Sequence, residues 1–312
     1  MELTQLRYFL AVADTGNFTR AAERSNVSQP ALSQQILNLE AEVGHKLFHR
    51  LGRRAVLTEA GLSLAERARR ILFEVENATK ELRDDPAVGR RITIGAVQTV
   101  MPYLVTPLVA QLRTTHPNLV VEAREDFRHA LIASVVEGEL DFAVVPLPVD
   151  EHRVSVEPLL VEPLLLVVGH EHPITRRAEI GVNDLAEENF ISMGQGSSLA
   201  EQIRAFFGNY NFDPRIRYRC AQVATLKLFV SLGLGISILP QLARQPRDQD
   251  TLTYLRLTGT EPTRELAIIR HLQRYQTRGA EQFIAALRAS VRAPARTDEP
   301  APTPPAASAG PP

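Results

Sequence analysis

The stretch "NFTRAAERSNVSQPALSQQILNLE", residues 17–40, decides how the beginning of this chain folds. Alanine, serine and glutamine crowd it, and acids are few. Asn17 is placed to cap a helix by accepting hydrogen bonds from the free amides of the first turn. Ala21 and Ala22 are small enough for a second helix to cross close by. Ser25 and Asn26, two poor helix-interior residues, predict a stop. Val27 then points inward, and Ser28 caps a new helix whose first turn tolerates Pro30. Leu32, Ile36, Leu39 and Val43 recur at spacings of four, three and four, which makes one buried stripe. Gln29, Ser33, Gln34 and Asn38 occupy the opposite face. Two short helices joined by a tight turn, the second presenting uncharged hydrogen-bonding groups, suit a helix-turn-helix with its reading helix over residues 28–39.

The chemistry of that face agrees. A glutamine side chain presents a donor beside an acceptor, matching the N6 and N7 edge of adenine in the major groove, and serine bonds several base edges. The plainer alternative is a solvated polar face on a small helical domain. The flanks favour DNA. Upstream, Leu3, Leu6, Phe9, Leu10 and Ala13 form an apolar face that closes a three-helix core. Downstream, "HKLFHRLGRRAVLT" holds Lys46, Arg50, Arg53 and Arg54 with no acid between Val43 and Thr58. Gly52 and the alternation Ala55, Val56, Leu57 suit a short β-wing whose cations reach phosphates beside the groove.

With 312 residues, and about 150 per domain, roughly two domains are expected. A 44% hydrophobic, 23% charged chain is that of an ordinary globular protein. The net charge of −1 gives no global pull towards nucleic acid, so any DNA affinity comes from a local patch. Glu2 and Asp14 interrupt the N-terminal stretch, which reads as neither signal nor transit peptide. No apolar run approaches the ~18–20 residues of a membrane span. A single cysteine, Cys220, excludes an intramolecular disulfide. These features predict a cytoplasmic protein with no membrane partner.

Leu57, Gly61, Leu64, Ala68, Ile71, Val75, Ala78 and Leu82 alternate spacings of four and three, the pattern of a coiled coil. Thr58 is a suitable N-cap and Pro86 ends the run. The narrow stripe, set among "ERARR" and "ENATKELRDD", predicts a dimer-forming connector helix, against the alternative of a helix packed on its own domain. After "DPAVGRR", short strands alternate with helices, an α/β pattern. "RITIGAV", "LVVEA" and "GELDFAVVP" read as strands, with helices around Leu108 and Leu131 between them. A second set runs through "EPLLLVVG", "NFISM", "IRYRC" and "GISILP", with a helix over 225–232, a late strand "RELAIIR" and a final helix over 280–291. Two similar halves, with crossings near 161–163 and 266–268, leave a cleft that closes on small ligands. The expected domains are therefore 1–58, a linker helix over 59–88, and a two-lobed domain over 91–293. Its first lobe comprises 91–161 and 268–293, its second 162–267. The proline-studded tail at 294–312 has no periodicity and is expected to be disordered.

At this point the segment from "LRYFLAVADTGNF" to "RAVLTEAG" resembles the DNA-binding region of LysR-type transcriptional regulators over nearly its whole length. "RITIGAV", "VVEGELDFAVV", "HEHP" and "GLGISILP" resemble that family's periplasmic-binding-protein-like effector domain. The resemblance spans residues 1–293. It implies an all-α winged helix-turn-helix, a dimerising linker helix, an α/β effector domain of two lobes, and a homotetramer. It also implies double-stranded DNA and a small-molecule effector as partners, with RNA polymerase as a further candidate. Gln29, Pro30, Ser33 and Gln34 are then the DNA-reading residues, with Arg50, Arg53 and Arg54 on phosphates.

"TVMPYLVTPLVAQL", "DFRHALIASVVEGELD" and "EPLLLVV" look closest to the hydrogen-peroxide-sensing branch. That branch works through two cysteines, whose positions correspond here to Ser198 and Phe207. Neither residue forms a sulfenic acid or a disulfide. A lone buried cysteine such as Cys220 acts as a small hydrophobe. A ligand-driven switch is therefore expected, with a single-cysteine redox regulator of oxidative-stress genes as the alternative. In the family the effector sits between the lobes; on this chain that implies Gln98, Thr99, Arg128, Ser197, Ser198 and Thr225. Helix-start amides favour anions and a guanidinium suits a carboxylate, which points to a small organic anion. The alternative for Arg128 is that Glu125 and Asp126, close by in sequence, simply neutralise it. No nucleophile with a base, carboxylate pair or metal cluster suggests an enzyme or a cofactor, and His170 and His172 of "GHEHP" lack a third metal ligand. A stand-alone solute-binding protein would share the cleft, but not residues 1–57.

Overall fold

The computed structural model describes residues 1–51, 54–83 and 90–292, with only the backbone of Arg50, Leu51, Arg83 and Arg90 described. Expectations placed on Gly52, Arg53, Pro86 and the tail at 294–312 lie outside the described residues.

Helix α1 (Leu3–Thr15) opens with the Glu2 amide donating to Gln5 Oε1 at 2.8 Å and closes on Gly16, whose φ of 61° a side chain rarely adopts. Helix α2 (Phe18–Arg24) is capped by Asn17, which accepts from the amides of Thr19 (2.8 Å) and Arg20 (3.1 Å). Helix α3 (Gln29–Val43) starts from Ser28, whose hydroxyl accepts from the Ala31 amide at 3.4 Å. The three helices close a core of Leu6, Phe9, Val12, Ala21, Leu32, Ile36 and Leu39. The expected α1 face needs correction. Leu3 is exposed, Leu10 and Ala13 are half-buried, and Val12 is fully buried. The face follows the 6, 9, 12 line, because the helices crossing α1 meet that side of it.

Strands β1 (Phe48–Leu51) and β2 (Arg54–Leu57) form the antiparallel wing, with Phe48 opposite Leu57. The Ala55 amide donates to the Gly16 carbonyl at 2.8 Å, tying the wing to the end of α1. Helix α4 (Glu59–Arg83) is capped by Thr58, whose hydroxyl accepts from the Gly61 amide at 3.0 Å. A Cβ at Gly61 would collide with the Leu47 carbonyl oxygen, so the missing side chain lets α4 pass close to the wing base. The first half of the expected coiled-coil stripe is used within the chain: Ala68 is buried in the N-terminal core, Leu57 and Leu64 pack against it, and Ala65, which the stripe did not include, is buried there too. The second half is not, since Ile71, Ala78 and Leu82 are exposed and Val75 half-buried.

The α/β region is built on a seven-stranded sheet in the order Leu252–Leu255, Val154–Gly169, Thr263–His271, Phe142–Pro146, Arg90–Ala96 and Leu119–Glu125, with Ser237–Pro240 beside Val154–Gly169. Strands β3 (Arg90–Ala96), β4 (Leu119–Glu125) and β5 (Phe142–Pro146) pair in parallel, and helices α5 (Thr106–Thr115), α6 (Arg128–Val136) and α9 (Arg278–Arg292) cover them. A five-residue π-helix, Met101–Val105, leads into α5. The second lobe holds β7 (Asn189–Met193), β8 (Arg215–Cys220), β9 (Ser237–Pro240) and β10 (Leu252–Leu255), with α7 (Ser198–Gly208) and α8 (Val223–Ser231).

Two antiparallel strands join the lobes: β6 (Val154–Gly169) and β11 (Thr263–His271). Strand β6 begins well before "EPLLLVVG", where the second set was expected to start. Leu266 already belongs to the first lobe's core, so the return is complete ahead of residue 268. Each lobe has its own core, one around Phe142, Ile268 and Phe283, the other around Val167, Phe190 and Phe207.

Candidate nucleic-acid interface and inter-lobe site

On α3 the residues expected to read bases stand out from the core. Gln29, Pro30 and Gln34 are exposed and Ser33 is half-buried. Gln29 Nε2 donates to Ser33 Oγ at 2.9 Å, and Gln34 Nε2 to Asn38 Oδ1 at 3.0 Å. Each pair spans one helical turn, so the polar groups are ordered before any partner arrives. Arg54 is exposed on β2, and Arg50 lies on β1.

Glu40 escaped the sequence reading. It is 4% exposed on the last turns of α3, accepts from the amides of Leu47 (2.9 Å) and Phe48 (3.4 Å), and pairs with Lys46 Nζ at 2.8 Å. Burial alone would raise its pKa, but the Lys46 ammonium and the two amides together hold the carboxyl below its ordinary value. The carboxylate thus ties the reading helix to the start of the wing. An acid four residues after Ile36, on the buried line, was the available signal.

The expected effector residues divide into three groups. Thr99 is 3% exposed and belongs to a buried network under the cleft. Arg264 Nη1 donates to Thr99 Oγ1 at 2.6 Å and Nη2 to the Thr99 carbonyl at 3.2 Å. The same guanidinium donates through Nε to Glu162 Oε1 at 2.9 Å, and Glu162 Oε2 accepts from the Leu242 amide at 2.6 Å. Glu162 on β6 and Arg264 on β11 face each other in the register, so this ion pair lies within the two strands that join the lobes. An acid and a base among the apolar residues of the two strands were the sequence signal, but β6 and β11 also carry Glu157, Glu265 and Arg270, and the pair was missed.

Arg128, at the start of α6, does not pair with Glu125 or Asp126. Asp126 accepts from the Phe127 amide, and burial without a cation pushes the Glu125 carboxyl up. Arg128 instead crosses the cleft, donating to Glu201 Oε2 of α7 at 3.0 Å and to the Pro148 carbonyl at 3.2 Å. Beside it Gln202 Nε2 donates to the Leu147 carbonyl at 3.2 Å, and Phe127 packs against Gly196. Ser197 and Ser198, at the start of α7, are buried next to these contacts. Gln98 is half-buried, Thr225 is exposed on α8, and no hydrogen bond among the described residues joins either to the Arg128 contacts.

His170 and His172 follow β6 in separate surroundings: His172 Nδ1 accepts from the Ile174 amide, and His170 Nδ1 lies 3.3 Å from Thr253 Oγ1. Phe207 is a core residue, with its ring centroid 4.8 Å from that of Phe212. Cys220 is 5% exposed at the end of β8, and burial pushes its thiol pKa up.

Residues 3–62 match the bacterial regulatory helix-turn-helix protein of the lysR family, and residues 87–292 match the LysR substrate binding domain. A hydrogen peroxide-inducible genes activator of Pectobacterium carotovorum is 34% identical over 272 residues, 86% of this chain and 90% of the relative. The Hca operon transcriptional activator HcaR of Escherichia coli is also 34% identical, over 242 residues, 77% of this chain and 82% of its own. A full-length OxyR variant from Pseudomonas aeruginosa superposes with a TM-score of 0.70 at 28% identity, covering 94% of this chain and 95% of that one. With a winged helix-turn-helix, a linker helix and a two-lobed domain in one order, this chain belongs to the LysR family of DNA-binding transcriptional regulators.

Proposed function

We propose that this regulator is switched by a small organic anion that enters between the lobes and takes Arg128 from Glu201. The observation that carries the reading is the cross-cleft pair itself. A guanidinium held 3.0 Å from a carboxylate of the opposite lobe already presents the geometry that a ligand carboxylate needs. Thr99, whose oxygen accepts from Arg264, still has its hydroxyl proton to donate to such a ligand. Differential affinity for two lobe arrangements then supplies the switching energy.

On the DNA side, Gln29, Pro30, Ser33 and Gln34 meet base edges, and Arg54 meets phosphate together with Arg50 and Arg53. The stripe of exposed Ile71, Ala78 and Leu82 with half-buried Val75 pairs two chains, and two such pairs assemble as a homotetramer. A regulator of DNA works where the DNA is, in the cytoplasm, with RNA polymerase nearby. The polar groups described serve binding, and no catalytic role is assigned to them.

Redox sensing through Cys220 fits less well. Its thiol is buried, its thiolate is disfavoured, and Ser198 and Phe207 supply no partner sulfur. The relatives at equal identity include both a peroxide-inducible genes activator and an hca operon activator, so likeness alone does not select the stimulus.

The test is calorimetric titration of the full chain with a panel of aliphatic and aromatic mono- and dicarboxylates. At least one should bind, Arg128→Ala should weaken it about tenfold or more, and Cys220→Ser should leave it unchanged. Binding that ignores Arg128, or a peroxide response abolished by Cys220→Ser, would overturn the reading.

A further inference from the structure

Helix α4 is gripped by the first lobe at a joint that the DNA-reading and cleft residues do not include. Asn77, 8% exposed, donates through Nδ2 to the Gln273 carbonyl at 3.0 Å and accepts at Oδ1 from the Tyr275 amide at 3.3 Å. A side-chain amide that satisfies one backbone acceptor and one backbone donor fixes both position and rotation of its helix. One turn before, Phe73 packs its ring 4.4 Å from that of His271. One turn after, Lys80 Nζ reaches Asp141 Oδ1 at 2.8 Å. Asp141, 4% exposed, also accepts from the Thr93 amide at 2.8 Å and lies 3.2 Å from Arg274 Nη2. Gly138 makes room here, since a Cβ would lie 2.8 Å from Arg274 Nη1 and 3.3 Å from Phe73.

The segment that holds α4, residues 271–275, continues directly from β11. The other end of β11 carries Arg264, bound to Glu162 and to Thr99. One nine-residue strand, paired on both sides, therefore has the inter-lobe hinge at its start and the linker helix at its end. A paired strand is stiff along its length, so a change of lobe angle at Arg264 moves the segment that grips Asn77. Helix α4 in turn is continuous with the winged domain through Ala65 and Ala68.

We propose that Asn77 and Asp141 are positioning residues that pass the state of the cleft to the DNA-reading domain, by clamping α4 to the strand that carries Arg264. The proposal rests on the reading of the cleft as the control site. Two sites coupled through a shared rigid element show non-additive mutations, whereas independent sites add.

The test uses the full chain and an operator selected from random DNA by the wild-type protein. Arg128→Ala, which opens the cross-cleft pair, should change the operator Kd about fivefold or more. In an Asn77→Ala background the same substitution should change it less than about twofold. Because Asn77 is buried, Lys80→Met, at a more exposed member of the joint, provides a second background in which folding is retained, and melting curves report fold separately from coupling. If Arg128→Ala has its full effect in both backgrounds, the joint is not the relay and the cleft reading stands. If Arg128→Ala leaves operator binding unchanged in the wild-type background, the cleft reading fails, and the relay with it.

Discussion

Gln29 and Ser33 stand one turn apart on α3 and share a hydrogen bond, so as the proposed base readers they would act as a unit. Gln29→Ala should cost about 1–3 kcal/mol on a selected operator if it makes a bidentate base contact. Ser33→Ala in that background should cost less than it does alone, because its partner is already gone. Filter binding to the operator and to a scrambled duplex checks this. Equal losses on both duplexes would move the pair from base reading to the phosphate backbone. Arg54→Ala offers the contrast, weakening both duplexes and flattening the salt dependence. The polar face that carries them was legible in the sequence, because Leu32, Ile36 and Leu39 take the buried side of α3. Glu40 was not, because its role depends on where the wing amides come to lie, and spacing along α3 does not reveal that.

Helix α4 shows why periodicity predicts an apolar stripe better than its partner. The four-and-three spacing is real, but Ala65 and Ala68 pack in the winged domain, while Asn77 and Lys80 turn another face to the first lobe. Of the stripe, Ile71, Val75, Ala78 and Leu82 remain for a second chain. Ile71→Asp with Val75→Asp should therefore give a monomer that keeps its fold, since Ile71 is 37% exposed in the single chain. Sedimentation velocity and thermal melting separate the outcomes, and unchanged assembly would place the dimer contact elsewhere. Strand β6 carries the opposite lesson. It was expected to start at Glu162 but starts at Val154 and runs through Pro158, which lies beside the irregularity between Leu266 and Ala267, where the ladder is already interrupted. Strand β10 was not anticipated either, since its four residues are too few for alternation to show. The buried runs "DFAVVP" and "RELAIIR" were read correctly because they are short, apolar and bounded by turn-forming or charged residues.

At the scale of the whole molecule, the two lobes touch through contacts of unequal kind. Tyr103 of the first lobe packs on the second lobe's core, with Lys227 Nζ 5.5 Å from its ring centroid. The Lys227 ammonium is itself tied to Asp248 at 2.6 Å. Arg264, Glu162 and Thr99 form a buried hinge. The Arg128 to Glu201 pair is different, because its partners lie 73 residues apart and the Glu201 side chain is 50% exposed. Sequence proximity pointed to Glu125 and Asp126, and it is the meeting of α6 and α7 across the cleft that brings Glu201 to the guanidinium. An ion pair so exposed contributes about 0–1 kcal/mol, since solvent screens it. That weakness suits a switch, because a ligand carboxylate that replaces Glu201 then gives up little. Glu201→Gln should therefore leave the melting temperature nearly unchanged while the lobes open more often at this edge. The measurement is amide hydrogen exchange: residues 196–202 and 127–130 should exchange faster, with β6 and β11 still protected. Raising salt on the wild-type chain should move the same amides in the same direction, because screening weakens the pair. A rise that spreads to β6 and β11 would show the hinge itself giving way. Unchanged exchange at 196–202 would show that Gln202 and Phe127 hold the edge without the ion pair.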